Sequence, residues 1–335
     1  MKLAIVKLSA LGDIVHAMVA LQFIKTARPD IEIDWIVEAH FAGVLADNPH
    51  IQRIQPLNLK ALKTAKRGLS AEMAKIRRYA AQDYDLVIDA QGLIKSALVA
   101  RLLSKHSIGF DKHSIRESAA ALFYRQTVHC PYHANTIDRN VTVLTKPLNI
   151  SVSPEQIIQK QAFLYYHTPE QTLDSYYSAN QTQVLFVIGS TWPSRNYPKE
   201  KYLQIIQRLP ANCLISCGSE PEQQAAAWIA ERSDAKPLPR LSLNDLKAAI
   251  ARTDLVIGND TGPTHMAWAL NRPSITLFGP TPISRVYQTP INKILKSSSP
   301  VNPYKLNKND FSIREIEVDT VLGLAEEILA QGSNN

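Results

Sequence analysis

Cysteine is scarce in this chain of 335 residues, which holds only Cys130, Cys213 and Cys217. So small and odd a number excludes a disulfide framework, and Cys213 and Cys217 flank an apolar run of the kind that forms a buried strand, where small thiols pack as apolar groups. A zinc site is not indicated. No apolar run approaches the roughly 20 residues needed to cross a bilayer, and residues 1–7 are too short for the core of a signal peptide, so the chain is expected in the cytoplasm. Also missing are the Walker A pattern and the three spaced glycines of the dinucleotide fingerprint, which demotes ATPase, kinase and dehydrogenase chemistry.

What remains is an ordinary globular composition, with 45% hydrophobic and 20% charged residues, and a formal net charge of +7. The excess of positive charge favours an anionic partner: nucleic acid, a phospholipid surface or a phosphorylated substrate. At roughly 150 residues per domain the length suggests two α/β-sized units and therefore a cleft. Short apolar runs alternate with longer amphipathic stretches, as in parallel βαβ units covered on both faces. Strands are expected at residues 2–7, 31–37, 85–90 and 107–110, and again at 183–188, 213–217, 255–257 and 274–278. Helices are expected after Gly12, at 70–82 and after Gly92; Pro198 and Pro221 suit first helical turns, and Ser242 with Asp245 resembles a capping box. Polar, proline-interrupted sequence between 150 and 180 suits a junction, dividing the chain into domains at 1–165 and 175–315. An amphipathic terminal helix at 316–332 could pack back on the first domain.

Open α/β sheets bind ligands beyond the carboxyl ends of their strands, where helix N-termini attract anions. Ser9-Ala10-Leu11-Gly12-Asp13-Ile14-Val15-His16 occupies such a place, with Asp13 either a general base or simply a helix N-cap. Asp89-Ala90-Gln91-Gly92-Leu93-Ile94-Lys95-Ser96 repeats the strand–glycine–helix pattern and puts Gln91 and Lys95 on the same edge. The strongest nucleotide motif is Gly258-Asn259-Asp260-Thr261-Gly262-Pro263-Thr264-His265, a glycine-bracketed loop suited to a diphosphate. Two more loops leave strand ends on that side: the one holding Ser190, Thr191 and Arg195 offers hydroxyls and a guanidinium for phosphate, and the one holding Glu222 offers a carboxylate for ribose or base. Asp83-Tyr84-Asp85 imitates a metal-binding Asp-x-Asp but sits at the amino end of a strand, so no metal site is expected. Lys60, Lys63, Lys66 and Arg67, with Lys75, Arg77 and Arg78, form a basic region. It is either a solvated helix face or an attractor of an anionic acceptor or membrane.

These three motifs together, in this order and spacing, resemble the lipopolysaccharide heptosyltransferase I family of GT-B glycosyltransferases over nearly the whole chain. The resemblance implies two Rossmann-like domains facing each other across a cleft. It implies inverting, metal-independent transfer of heptose from ADP-L-glycero-β-D-manno-heptose to Kdo-lipid A on the inner membrane, with ADP-heptose a substrate and no cofactor. By position, Asp13 matches the general base; Lys7 and Arg116 match acceptor-side residues; Ser190, Thr191, Arg195, Glu222, Asp260, Thr261, Gly262 and His265 match the donor site. Two departures stand out: Ala10 replaces a serine of the family pattern, and Arg195 replaces a lysine. A monomer in peripheral contact with the anionic membrane is expected, without nucleic acid. The alternatives are heptosyltransferase II or another GT-B transferase and, from a different class, a nonenzymatic sugar-nucleotide-binding protein.

Overall fold

The computed structural model describes residues 1–59 and 68–332, which divide into two compact units, Met1–Tyr165 and Tyr166–Asn335. The first runs β1 (Lys2–Val6), α1 (Leu11–Met18), α2 (Ala20–Ala27), β2 (Glu32–Glu38), β3 (Arg53–Leu57), α3 (Leu69–Ala80), β4 (Leu86–Asp89), α4 (Ile94–Leu103), β5 (Ser107–Phe110), β6 (Gln126–Val128), α5 (Thr136–Thr145) and α6 (Pro154–Ile158). The second runs β7 (Gln183–Val187), α7 (Lys199–Arg208), β8 (Asn212–Ser216), α8 (Glu220–Ala230), β9 (Lys236–Pro237), α9 (Leu243–Ala251), β10 (Leu255–Asn259), α10 (Gly262–Ala269), β11 (Ser274–Phe278), β12 (Asn292–Lys296) and α11 (Val318–Gly332).

Each unit holds a six-stranded parallel sheet, in the order β3-β2-β1-β4-β5-β6 and β12-β11-β10-β7-β8-β9. The two orders are the same doubly wound pattern, in which the chain winds outward from a central strand, then returns and winds the other way. Central strands read as unbroken apolar runs because both their faces are covered: Leu3, Ala4, Ile5 and Val6 are fully buried, as are Leu255, Val256 and Ile257. Winding reverses between β1 and β4 and between β7 and β10. In the first sheet Val6 lies opposite Asp89, so the loops leaving β1 and β4 emerge side by side.

Four strands were not anticipated: β3, β6, β9 and β12, the edge strands of the two sheets. An edge strand buries less and tolerates proline, as at Pro56 and Pro237, so it lacks the apolar run that announces a central strand. The first helix begins at Leu11, before Gly12, which puts Asp13 at its third position instead of its cap. Pro198 immediately precedes α7, and Pro221 is the second residue of α8. Ser242 does cap α9, its Oγ accepting from Asp245 N at 3.1 Å, but the Asp245 carboxylate accepts from Glu170 N and leaves the reciprocal half of the box unmade. The terminal helix α11 packs within the second unit. Val318, Val321, Leu322, Ala325 and Ile328 pack into the second unit's own core beside α7.

Candidate active site

In the first unit Asp13 is half-buried, and its Oδ2 accepts from Ala10 N at 3.2 Å across the first turn of α1. The loop that carries it is pinned from β4: Gln91 Oε1 accepts from Leu8 N at 3.1 Å and from Ser9 N at 3.0 Å. Gln91 is itself placed by the turn after β4, where Asp89 Oδ1 accepts from Gln91 N at 2.7 Å and Gly92 takes φ of +70°. A side chain there would be strained, and its Cβ would stand 2.6 Å from Ile115 Cγ2. Asp89 is fully buried, and Ser96 Oγ and Tyr124 Oη each donate to its Oδ2 at 2.7 Å. Burial raises its pKa, against the pull of these donors. Asp89 thus acts as the hub of the turn.

Lys7 is buried and donates to Ala90 O at 2.7 Å and to Asn140 Oδ1 at 3.2 Å. Burial lowers its pKa; the Asp13 and Asp89 carboxylates oppose that shift, and Arg139 adds to it. Two of three ammonium protons therefore tie β1 to β4 and α5. Lys95 pairs with the buried Glu38 at 3.6 Å, and Arg116 is exposed before the 3₁₀ turn Ser118–Phe123. Lys60, Lys63, Lys66 and Arg67 lie outside the described residues. Asp85 Oδ2 accepts from Lys2 N at 2.8 Å, so one carboxylate of the Asp-x-Asp imitation closes the start of the sheet. Among the described residues no group of three or more His, Cys, Asp or Glu side chains is placed to hold a metal ion.

Two residues here escaped the sequence motifs. Arg139 on α5 lies over the rings of Tyr132 (4.7 Å) and Phe110 (5.2 Å), and its guanidinium interacts electrostatically with Asp13. Asn140 is the partner of Lys7. Both sit on an unremarkable polar helix, and their roles arise only from packing across more than a hundred residues of chain.

In the second unit a cavity of about 490 Å³ opens where the loops after β7, β8 and β10 meet, lined among others by Ser190, Thr191, Cys217, Glu222, Thr261 and Pro263. Glu222 is the third residue of α8, and its Oε2 accepts from Gly218 N at 2.6 Å and from Ser219 N at 3.3 Å. Its carboxylate also lies against Gly189, where a Cβ would stand 2.2 Å from Glu222 Cδ. A side chain at position 189 would force Glu222 to move. Ser190 Oγ donates to Trp192 O at 2.9 Å, and Thr261 caps α10 by backbone geometry, ahead of Gly262 at the first helical position and Pro263 at the second. Burial pushes the Cys217 thiol up to about 11, with Glu222 adding to the shift, so Cys217 lines the cavity as a neutral group.

Arg195, Asp260 and His265 do not line that cavity. They form a buried cluster beside it: Arg195 Nη2 lies 3.0 Å from Asp260 Oδ2, and His265 Nε2 lies 2.9 Å from Asp260 Oδ1. Burial resists ionisation of Asp260, but the Arg195 guanidinium, the His265 hydrogen bond and the charge of Arg285 outweigh it. They hold its carboxyl well below the usual range. Asn259 rivets the same crevice, its Oδ1 accepting from Tyr197 N at 3.0 Å and its Nδ2 donating to Ile188 O at 2.9 Å. A helix N-terminus and glycine loops around the cavity, with the Arg195 guanidinium in the cluster beside it, suit a nucleoside diphosphate.

The chain matches the family model described as glycosyltransferase family 9 (heptosyltransferase) over residues 73–310. It belongs to that family. This family 9 transferase is 36% identical to lipopolysaccharide heptosyltransferase 1 of Campylobacter coli, over 98% of this chain and 99% of the relative. It is 32% identical to lipopolysaccharide heptosyltransferase 1 of Pseudomonas aeruginosa, over 84% of this chain and 79% of the relative. Among solved structures, the Escherichia coli heptosyltransferase WaaC with ADP-2-deoxy-2-fluoro heptose superposes with a TM-score of 0.79 at 24% identity, covering 98% of this chain and 99% of that one. The two parallel sheets of this transferase are thus those of a GT-B enzyme.

Proposed function

We propose that this family 9 transferase moves heptose from ADP-L-glycero-β-D-manno-heptose to Kdo-lipid A in building the lipopolysaccharide inner core. The observation that carries this is the near-full-length likeness to relatives named lipopolysaccharide heptosyltransferase 1, in a chain whose second unit has a cavity suited to a nucleoside diphosphate. Asp13 removes the proton of the acceptor hydroxyl as that oxygen bonds to the anomeric carbon of the donor. The bond from that carbon to the ADP oxygen breaks on the opposite side, so the configuration inverts and ADP leaves with the electron pair. Arg195 and the first turn of α10 offset the charge that develops on ADP, and Glu222 holds its nucleoside. A positioned base is worth roughly 100- to 10,000-fold, and stabilisation of a departing anion is of similar size.

Lys7, Gln91, Lys95 and Arg116 serve the acceptor side, Lys7 and Gln91 by shaping the Asp13 loop. The enzyme works as a monomer in the cytoplasm at the inner membrane, with no metal, cofactor or nucleic acid. The test is ADP release with ADP-heptose against other sugar nucleotides, using a delipidated Kdo acceptor and repeated in EDTA. Release confined to ADP-heptose plus Kdo acceptor and indifferent to EDTA is expected. Tight donor binding with no transfer to any acceptor would instead mark a sugar-nucleotide-binding protein.

A further inference from the structure

Helix α4 covers its sheet as expected through Ala97, Val99, Ala100 and Leu103, all buried, yet its outer face is apolar too. Ile94, Leu98 and Leu102 follow at i, i+4 and i+8 and are 38%, 43% and 49% exposed. The stripe is about 12 Å long. Against α4 packs the Ser118–Phe123 turn, which carries Leu122, 85% exposed and, among the described residues, the most exposed of the large hydrophobic side chains. A lone exposed leucine is unremarkable, but four on two packed elements form a patch of the kind that marks an interaction surface.

Charge decides what covers it. Neither α4 nor the turn contains an acidic residue; Glu117, just before the turn, accepts from Ile94 N at 2.8 Å at the head of the stripe, while Arg101 within the stripe and Lys105 just beyond it are exposed, make no ion pair among the described residues and leave the face with an excess of positive charge. Leucines interleaved with unpaired cations on one face fit an anionic lipid surface, which takes the apolar groups below its headgroups and the cations among them. A second copy of this chain fits poorly, because a two-fold interface would bring these cations against their own images.

We propose that the outer face of α4 and the Ser118–Phe123 turn dock on an anionic phospholipid bilayer. The inference deepens the proposed function, whose acceptor is a lipid: α4 starts at the turn from which Gln91 holds the Asp13 loop, so a bilayer on this face brings lipid-linked hydroxyls to that end of the unit.

The experiment is co-sedimentation of the full chain with vesicles of phosphatidylcholine containing phosphatidylglycerol, and with phosphatidylcholine alone. The parent should bind the anionic vesicles and scarcely the neutral ones. At about fivefold per cation, Arg101→Glu with Lys105→Glu should weaken binding by at least roughly 25-fold. Leu98→Ser with Leu122→Ser should weaken it by at least about tenfold. All four positions are exposed, so melting temperatures and ADP release with the delipidated acceptor should match the parent, while transfer to vesicle-embedded acceptor falls. Unchanged vesicle binding in both variants, no binding by the parent, or a parent dimer that the leucine substitutions dissociate would each overturn the docking face. Absence of ADP release with every acceptor would sink the transferase assignment instead, and the vesicle measurements would stand apart from it.

Discussion

Arg195 and Asp260 form a buried ion pair 3.0 Å long in the crevice between β7 and β10 of the second sheet. Its consequence is that Arg195 has two roles, one toward the fold and one toward the donor. Arg195→Ala leaves a buried carboxylate with only His265 and the charge of Arg285 to offset it. Breaking such a pair typically costs about 3–5 kcal/mol, and those remaining partners place the expected loss near the lower end. The melting temperature should drop by several degrees. Asp260→Asn in the same background should recover much of that stability without restoring donor affinity. Recovery of both together would deny Arg195 its part in binding ADP.

Asp260 also sets an acid limit. Its folded carboxyl titrates below the ordinary 3.8, so as pH falls the unfolded chain takes up the proton first. The stabilisation is therefore fully present above the unfolded value and fades as pH drops below it. Chemical denaturation between about pH 6 and 3 should show stability falling toward acid, with a visibly shallower slope in Asp260→Asn. Equal slopes would mean that other carboxylates govern the acid limb.

Asp13→Asn keeps an acceptor for Ala10 N while removing the base. Turnover should fall by roughly 100- to 10,000-fold, with ADP affinity in calorimetry unchanged. Turnover within a few-fold of the parent would rule out Asp13 as base.

Gln91→Ala tests whether the loop beneath Asp13 must be held. It strips Leu8 N and Ser9 N of their acceptor, at a cost of about 1–3 kcal/mol if neither finds another. Turnover should decline while the Michaelis constant for ADP-heptose stays put. A change confined to the donor constant would contradict this placement.

Gly189→Ala pushes a methyl group into the Glu222 carboxylate. ADP should bind at least about tenfold more weakly, since Glu222 must leave both Gly218 N and its place on the cavity wall. Unaltered ADP binding would show that the nucleoside does not use Glu222.

What was legible in the sequence follows the same physics. Strands buried on both faces announce themselves as apolar runs, so β1, β4, β7, β10 and their inner neighbours could be placed within a residue or two. The edge strands could not, because a half-covered strand with Pro56 or Pro237 looks like a loop. Motif loops at the carboxyl ends of strands were visible because glycine and proline punctuate them, and three of them do converge on one cavity. Arg139 and Asn140 were invisible. Each acts through a partner tens of residues or more away, Lys7 to Asn140 being 133 apart, and no local pattern encodes such a meeting. Asp13 at the third helical position, not the cap, came down to a three-residue difference in where α1 begins, which sequence rarely fixes.

The repeated winding order has an evolutionary reach. Each half owns a complete sheet, a separate apolar core and its own reversal of direction, so the residues proposed to choose the sugar nucleotide and those proposed to choose the lipid lie on segments that recombination can exchange whole. A chimera joined between Tyr165 and Tyr166 should inherit its donor preference from one parent and its acceptor preference from the other.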